Sequence, residues 1–172
     1  MSFIPLPTDL LTNSVEIIEW EHARIHDGKG FTAAQIFTLA NNATNYHLLR
    51  VGAATYPHIR TLLVSSDKSP IEIHLHESPT VTTVGTAQTV SNNNRNSATA
   101  SGMSVYSGAT IAANGALLAS DIILAGKSTG GAGTENAQRE WCLKPSTDYI
   151  IRLVSVAAGA ATYNLKLFWY EA

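Results

Sequence analysis

The chain has 172 residues and a formal net charge of −2, and Asp, Glu, Lys and Arg make up only 14% of it, against about 25% in an ordinary soluble domain. The length suits one domain with a substantial core, while the lack of any Lys- or Arg-rich run removes the electrostatic footprint of a nucleic-acid binder. No apolar run approaches a membrane span, and Cys142, the only cysteine, cannot form an internal disulfide.

The opening "MSFIPLPTDLLTN" is expected to be an extended arm, because Pro5 and Pro7 disfavour helix and remove backbone donors. It nevertheless carries Phe3, Ile4, Leu6, Leu10 and Leu11, apolar side chains that an extended segment hides by lying in a groove. The first basic residue is Arg24, so a signal peptide is not expected here and synthesis in a cytoplasm is. In "SVEIIEWEHARIH" Ser14 could cap a short helix. A strand with Ile18, Trp20 and His22 on one face is the reading adopted, which makes residues 1–25 an arm with a lead-in strand.

From residue 26 to 172 the pattern is period-two alternation in short runs, separated by Gly, Asn, Ser and Pro clusters, as in a single all-β domain. The runs are "GFTAAQIFTLA", "YHLLRV", "HIRTLLVSS", "PIEIHLHE", "ALLASDIILAG", "REWCLK", "DYIIRLVSV" and "TYNLKLFWYE". Ile71, Ile73, Leu75, Ile151, Leu153, Leu165, Leu167 and Trp169 are the expected core. About eight strands at this spacing indicate a jelly-roll-like β-sandwich rather than an α/β fold. "SNNNRNSATASG" at 91–102 and "GKSTGGAGTEN" at 126–136 are too polar for a core and read as long surface loops.

Few residues suggest chemistry. "IEIHLHE" places Glu72, His74 and His76 on one strand face, a possible start of a metal site. A cupin-like metalloenzyme would need a further histidine downstream, and none follows His76. Helpers would have to come from upstream, as His22, His26, His47 or His58. A polar strand face with neutral histidines and no metal is therefore expected. The "GKS" at 126–128 lacks the glycine a phosphate loop requires, because Asp121 stands in its place. Cys142 alternates with Trp141 and Leu143, has no basic group beside it to suggest a lowered thiol pKa, and reads as a small buried or half-buried thiol. No cofactor is expected. Asn93, Asn94, Arg95 and Asn96, with Asn92, supply many donors and acceptors at little charge. They suit either fixing a loop or gripping another backbone.

In order, "GKGF", "NNNRNS", "SVYSGATIAANGALL", a glycine-rich loop, "EWCLKPSTDYIIRL" and "LKLFWYE" resemble the small decoration, or cement, proteins of tailed-bacteriophage capsids. The resemblance spans about residues 26–171. It implies a non-enzymatic jelly-roll sandwich that forms homotrimers on the outer surface of the virion and staples major capsid protein subunits together. Residues 1–25 lie outside the resemblance, so the arm is expected to contact the capsid on the physical ground of its apolar side chains, with Asn93 to Asn96 as the next candidates and neither nucleic acid nor membrane as partner. Similar sandwiches also serve as tail-associated or glycan-binding modules, for which Tyr106, Trp141 and Tyr170 would be the aromatic platforms.

Overall fold

A computed structural model of the chain describes residues 20–67, 69–124, 140–156 and 160–172. Among the described residues, one short helix, α1 (Trp20–His26), precedes thirteen strands: β1 (Gly30–Leu39), β2 (Thr44–Val51), β3 (Pro57–Ser66), β4 (Ile71–Glu77), β5 (Thr80–Thr83), β6 (Thr86–Ala87), β7 (Ser91–Asn92), β8 (Met103–Ser107), β9 (Thr110–Ala113), β10 (Ala116–Ile123), β11 (Trp141–Cys142), β12 (Asp148–Ser155) and β13 (Ala161–Glu171). They form an all-β sandwich. One sheet has the order β11-β3-β13-β1-β7, and the other runs β10-β4-β12-β2-β8-β6.

The alternation read from the sequence is the cause of this architecture. In β13, Tyr163, Leu165, Leu167 and Trp169 are all buried, and each faces the second sheet across the sandwich. All eight residues expected in the core are buried. Each such side chain contributes roughly 1.5–3 kcal/mol on leaving water. The inner row of the first sheet runs Trp141, Ile59, Trp169, Phe31 by direct register, with the Phe31 and Trp169 rings 5.9 Å apart. The outer row one residue along runs Cys142, His58, Tyr170, Gly30.

Residues 78–115 connect β4 to β10 and add strands to both sheets. On the way β8 pairs with β2, β7 pairs with β1, and the β5–β9 ribbon covers the outer face of the second sheet. Under it lies a second small core of Leu48, Ala109 and Ile150 with Val81, Val84 and Ile111. The turns fall where Asn, Ser and Gly adopt left-handed backbone: Asn42, Ser146 and Gly115 all have positive φ.

The expected lead-in strand is, over Trp20–His26, helix α1 instead. Gly28, at φ 71°, ends it with a Schellman motif: Lys29 N–H donates to Arg24 O at 2.8 Å and Gly28 N–H to Ile25 O at 3.0 Å. The helix lies against β1 and β13. This approach needs a glycine, since a Cβ on Gly30 would stand 2.8 Å from Ile25 Cγ1.

Candidate functional site

The asparagine loop is spent on its own fold. Asn92 donates from Nδ2 to Gly28 O at 2.7 Å and to Thr99 O at 3.0 Å, and its Oδ1 accepts from Asn94 N–H. Asn94 in turn donates to His26 O, the C-terminal residue of α1, at 2.8 Å. Asn93 Oδ1 accepts from Thr32 Oγ1. These bonds fasten the loop to the end of α1 and the start of β1, which is the loop-fixing role of the two read from the sequence. Arg95 and Asn96 remain exposed at its tip, and Asn96 touches the network only through its backbone N–H, bonded to Asn94 Oδ1. The arm residues Phe3, Ile4, Leu6, Leu10 and Leu11 lie outside the described residues.

The outer face of β4 carries the row read from the sequence without closing it into a trio. Glu72 Oε2 and His74 Nε2 are 3.3 Å apart, while His76 is buried with its ring centroid 6.1 Å from that of His74. Burial pushes the His76 pKa below its ordinary value. Glu77 points the other way, into the sandwich edge, where it accepts from Lys144 Nζ at 2.7 Å and Tyr149 Oη at 3.0 Å.

Among the described residues, the His, Cys, Asp and Glu side chains whose ligand atoms all converge within 4.8 Å are His58, Glu140 and Cys142. Antiparallel pairing of β11 with β3 sets Cys142 opposite His58, so Sγ lies 3.1 Å from Nδ1. Glu140, one residue before β11, bonds His58 Nδ1 through Oε1 and lies 3.9 Å from the thiol. The trio is braced. Tyr170 donates to Glu140 Oε1 at 2.7 Å, Arg60 pairs with Oε2 at 3.4 Å, and the His58 ring stacks on Tyr170 at 4.8 Å. Burial alone would raise the Glu140 carboxyl, but Tyr170, His58 and Arg60 together outweigh it and hold it below the usual range. The thiol is driven the other way, first by desolvation and then by the Glu140 charge.

This corrects two sequence expectations about Cys142: its side chain is exposed, and a basic group does stand beside it. The raised thiol pKa still makes it a poor nucleophile. Of the aromatics nominated as a platform, Tyr170 is buried, Trp141 packs on the main core and Tyr106 packs on the second small core. They share no surface.

Apolar groups do reach solvent elsewhere. Leu117 and Ile122 are exposed on β10, the last strand of the second sheet among the described residues, Leu124 follows it, and Ile36 on β1 is 73% exposed. Comparison of the chain with protein-family models, curated proteins and solved structures found no match.

Proposed function

We propose that the chain is a non-enzymatic structural virion protein that sits on the outer surface of a tailed-phage capsid as a homotrimer and stabilises contacts between major capsid protein subunits. The observation that carries this reading is the surface of the sandwich. It is poor in charge, and β10, at the end of the second sheet's order among the described residues, exposes Leu117 and Ile122. An apolar edge strand is an assembly hazard for a solitary protein and an asset for one that docks on others. The strand order supports a jelly roll, with β1-β13-β3-β11 facing β2-β12-β4-β10, the arrangement that eight strands take in two interleaved Greek keys. The ordered series of motifs from "GKGF" to "LKLFWYE" resembles the decoration proteins in which such a sandwich plays this part.

In this role the apolar arm, residues 1–13, is the main anchor, and three arms on one trimer engage the shell together. Of the loop candidates, Arg95 and Asn96 are the exposed ones, Arg95 with a long bond from its guanidinium to Asn92 O at 3.4 Å, whereas Asn93 and Asn94 act by holding the loop in shape.

The test is co-sedimentation of the purified chain with mature capsids, unexpanded capsids and free capsid subunits, with its mass read by light scattering. A trimer that binds mature capsids selectively, and loses most of that binding when residues 1–13 are deleted, is the expected result. A monomer at micromolar concentration that ignores all three targets overturns the reading.

A further inference from the structure

The trio on the outer face of the first sheet has the composition and spacing of a metal site. We propose that His58, Glu140 and Cys142 bind a zinc ion through Nδ1, Oε1 and Sγ, with water in the fourth position. The proposal stands independently of what the protein docks on.

The donor set selects the metal. A thiolate and an imidazole with one carboxylate suit zinc, whereas magnesium and calcium require all-oxygen cages. Zinc–ligand bonds of about 2.0–2.3 Å put tetrahedral ligand atoms roughly 3.3–3.8 Å from one another. The Nδ1 to Sγ separation is 3.1 Å and Sγ to Oε1 is 3.9 Å, both near that size, while Nδ1 and Oε1 are in direct hydrogen-bond contact and must part by side-chain rotation as the ion enters. Thiolate and carboxylate together supply two negative charges, which balance a divalent ion.

The ligands are also held in place by partners of their own. Tyr170 orients Glu140 by a hydrogen bond and His58 by stacking, and Arg60 holds the distal carboxylate oxygen. Such outer partners are what fix ligand direction in metal sites. The backbone contributes too, since Leu143 N–H donates to Pro57 O at 2.8 Å beside the trio. On binding, the Cys142 thiol gives its proton to solvent as the zinc–sulfur bond forms, and the proton that His58 Nδ1 donates to Glu140 leaves for solvent, the neutral ring keeping its proton on Nε2; no oxidation state changes, so affinity rises with pH. The ion would staple β11, a strand of only two residues, to the edge of β3 across a gap of 84 positions.

Cys142 is the only thiol in the chain, which makes the test direct. In the full-length protein, the rate of thiol labelling by an aromatic disulfide is measured with and without micromolar zinc, and cobalt(II) is titrated as a spectroscopic probe. The expected results are at least a ten-fold slowing of labelling by zinc but not by magnesium, and a near-ultraviolet thiolate-to-cobalt band. Cys142→Ser should abolish the band, and Glu140→Gln should weaken cobalt binding at least ten-fold. His22 and His26 stack on α1 with their Nε2 atoms 2.7 Å apart and could take up metal themselves. The band must therefore survive in His22→Gln. Unaltered labelling with zinc and no thiolate band in the wild-type protein overturn the proposal, and neither observation depends on a variant folding.

Discussion

His47 should make this protein lose stability on mild acidification. It lies on the inner face of β2, 1% exposed, beside the Phe37 ring at 5.2 Å and with a single long contact to Asn45 at 3.5 Å. Nothing there compensates a charged imidazole, and desolvation lowers its pKa from 6.5 to about 4. The unfolded chain therefore binds a proton near pH 6.5 that the folded chain refuses until about pH 4, and stability falls as pH drops through that window. Integrating the difference gives about 1.8 kcal/mol lost between pH 7 and pH 5. Against a total of roughly 5–15 kcal/mol this is a large share. Urea unfolding at the two pH values is the assay, and at an m-value of about 2 kcal/mol per molar the midpoint should drop by about 1 M. His76, also pushed down by burial, adds a loss of the same sign. The diagnostic quantity is thus the difference between wild type and His47→Leu, which gives up only the 3.5 Å contact with Asn45 Nδ2 and leaves Asn45 Oδ1 bonded to Gly108 N–H. Carboxylates such as Glu77, held low chiefly by the Lys144 ammonium, act only as pH falls through and below 4.5 and stay out of the comparison. Equal pH dependence in wild type and His47→Leu would refute the argument.

Other substitutions probe the architecture. Trp169→Ala, at a fully buried position facing Phe31, should cost about 3–5 kcal/mol in denaturant unfolding. Glu171→Gln keeps the side chain's shape but weakens its bonds with Ser101 Oγ, Gly102 N–H, Met103 N–H and Trp169 Nε1, and should cost about 1–3 kcal/mol by the same measurement. Gly30→Ala drives a Cβ into Ile25, so α1 should lift from the sheet, with faster proteolysis at Arg24 as the readout.

Much of the sandwich was legible in the chain because one face of each strand is dry and the other is not. Alternation in "IEIHLHE", "DYIIRL" and "TYNLKLFW" is a local signal of a two-sided surface, and the residues it marked are the ones at the centre of the core. Asx and glycine turns are likewise local chemistry, which is why Gly115 and Asn42 stand at the bends. Helix α1 was not legible as a helix. Seven residues are too few to be helical alone, and its apolar spacing fits a strand equally well. The contact of Ile25 with the bare backbone at Gly30 decides between them.

The trio of His58, Glu140 and Cys142 belongs wholly to tertiary structure. The Cys142 thiol acquires an imidazole neighbour from 84 positions away, because β11 pairs with β3 in a register that puts the two side chains on the same face. Shifting that register by one residue would send Cys142 toward the core and Trp141 toward solvent. Composition and periodicity determined that these strands form and which faces they bury. Which strands meet, and hence which polar groups converge on an outer face, was decided by long-range packing, where the energy of burying Trp141, Ile59, Trp169 and Phe31 in one row selects a single register from many.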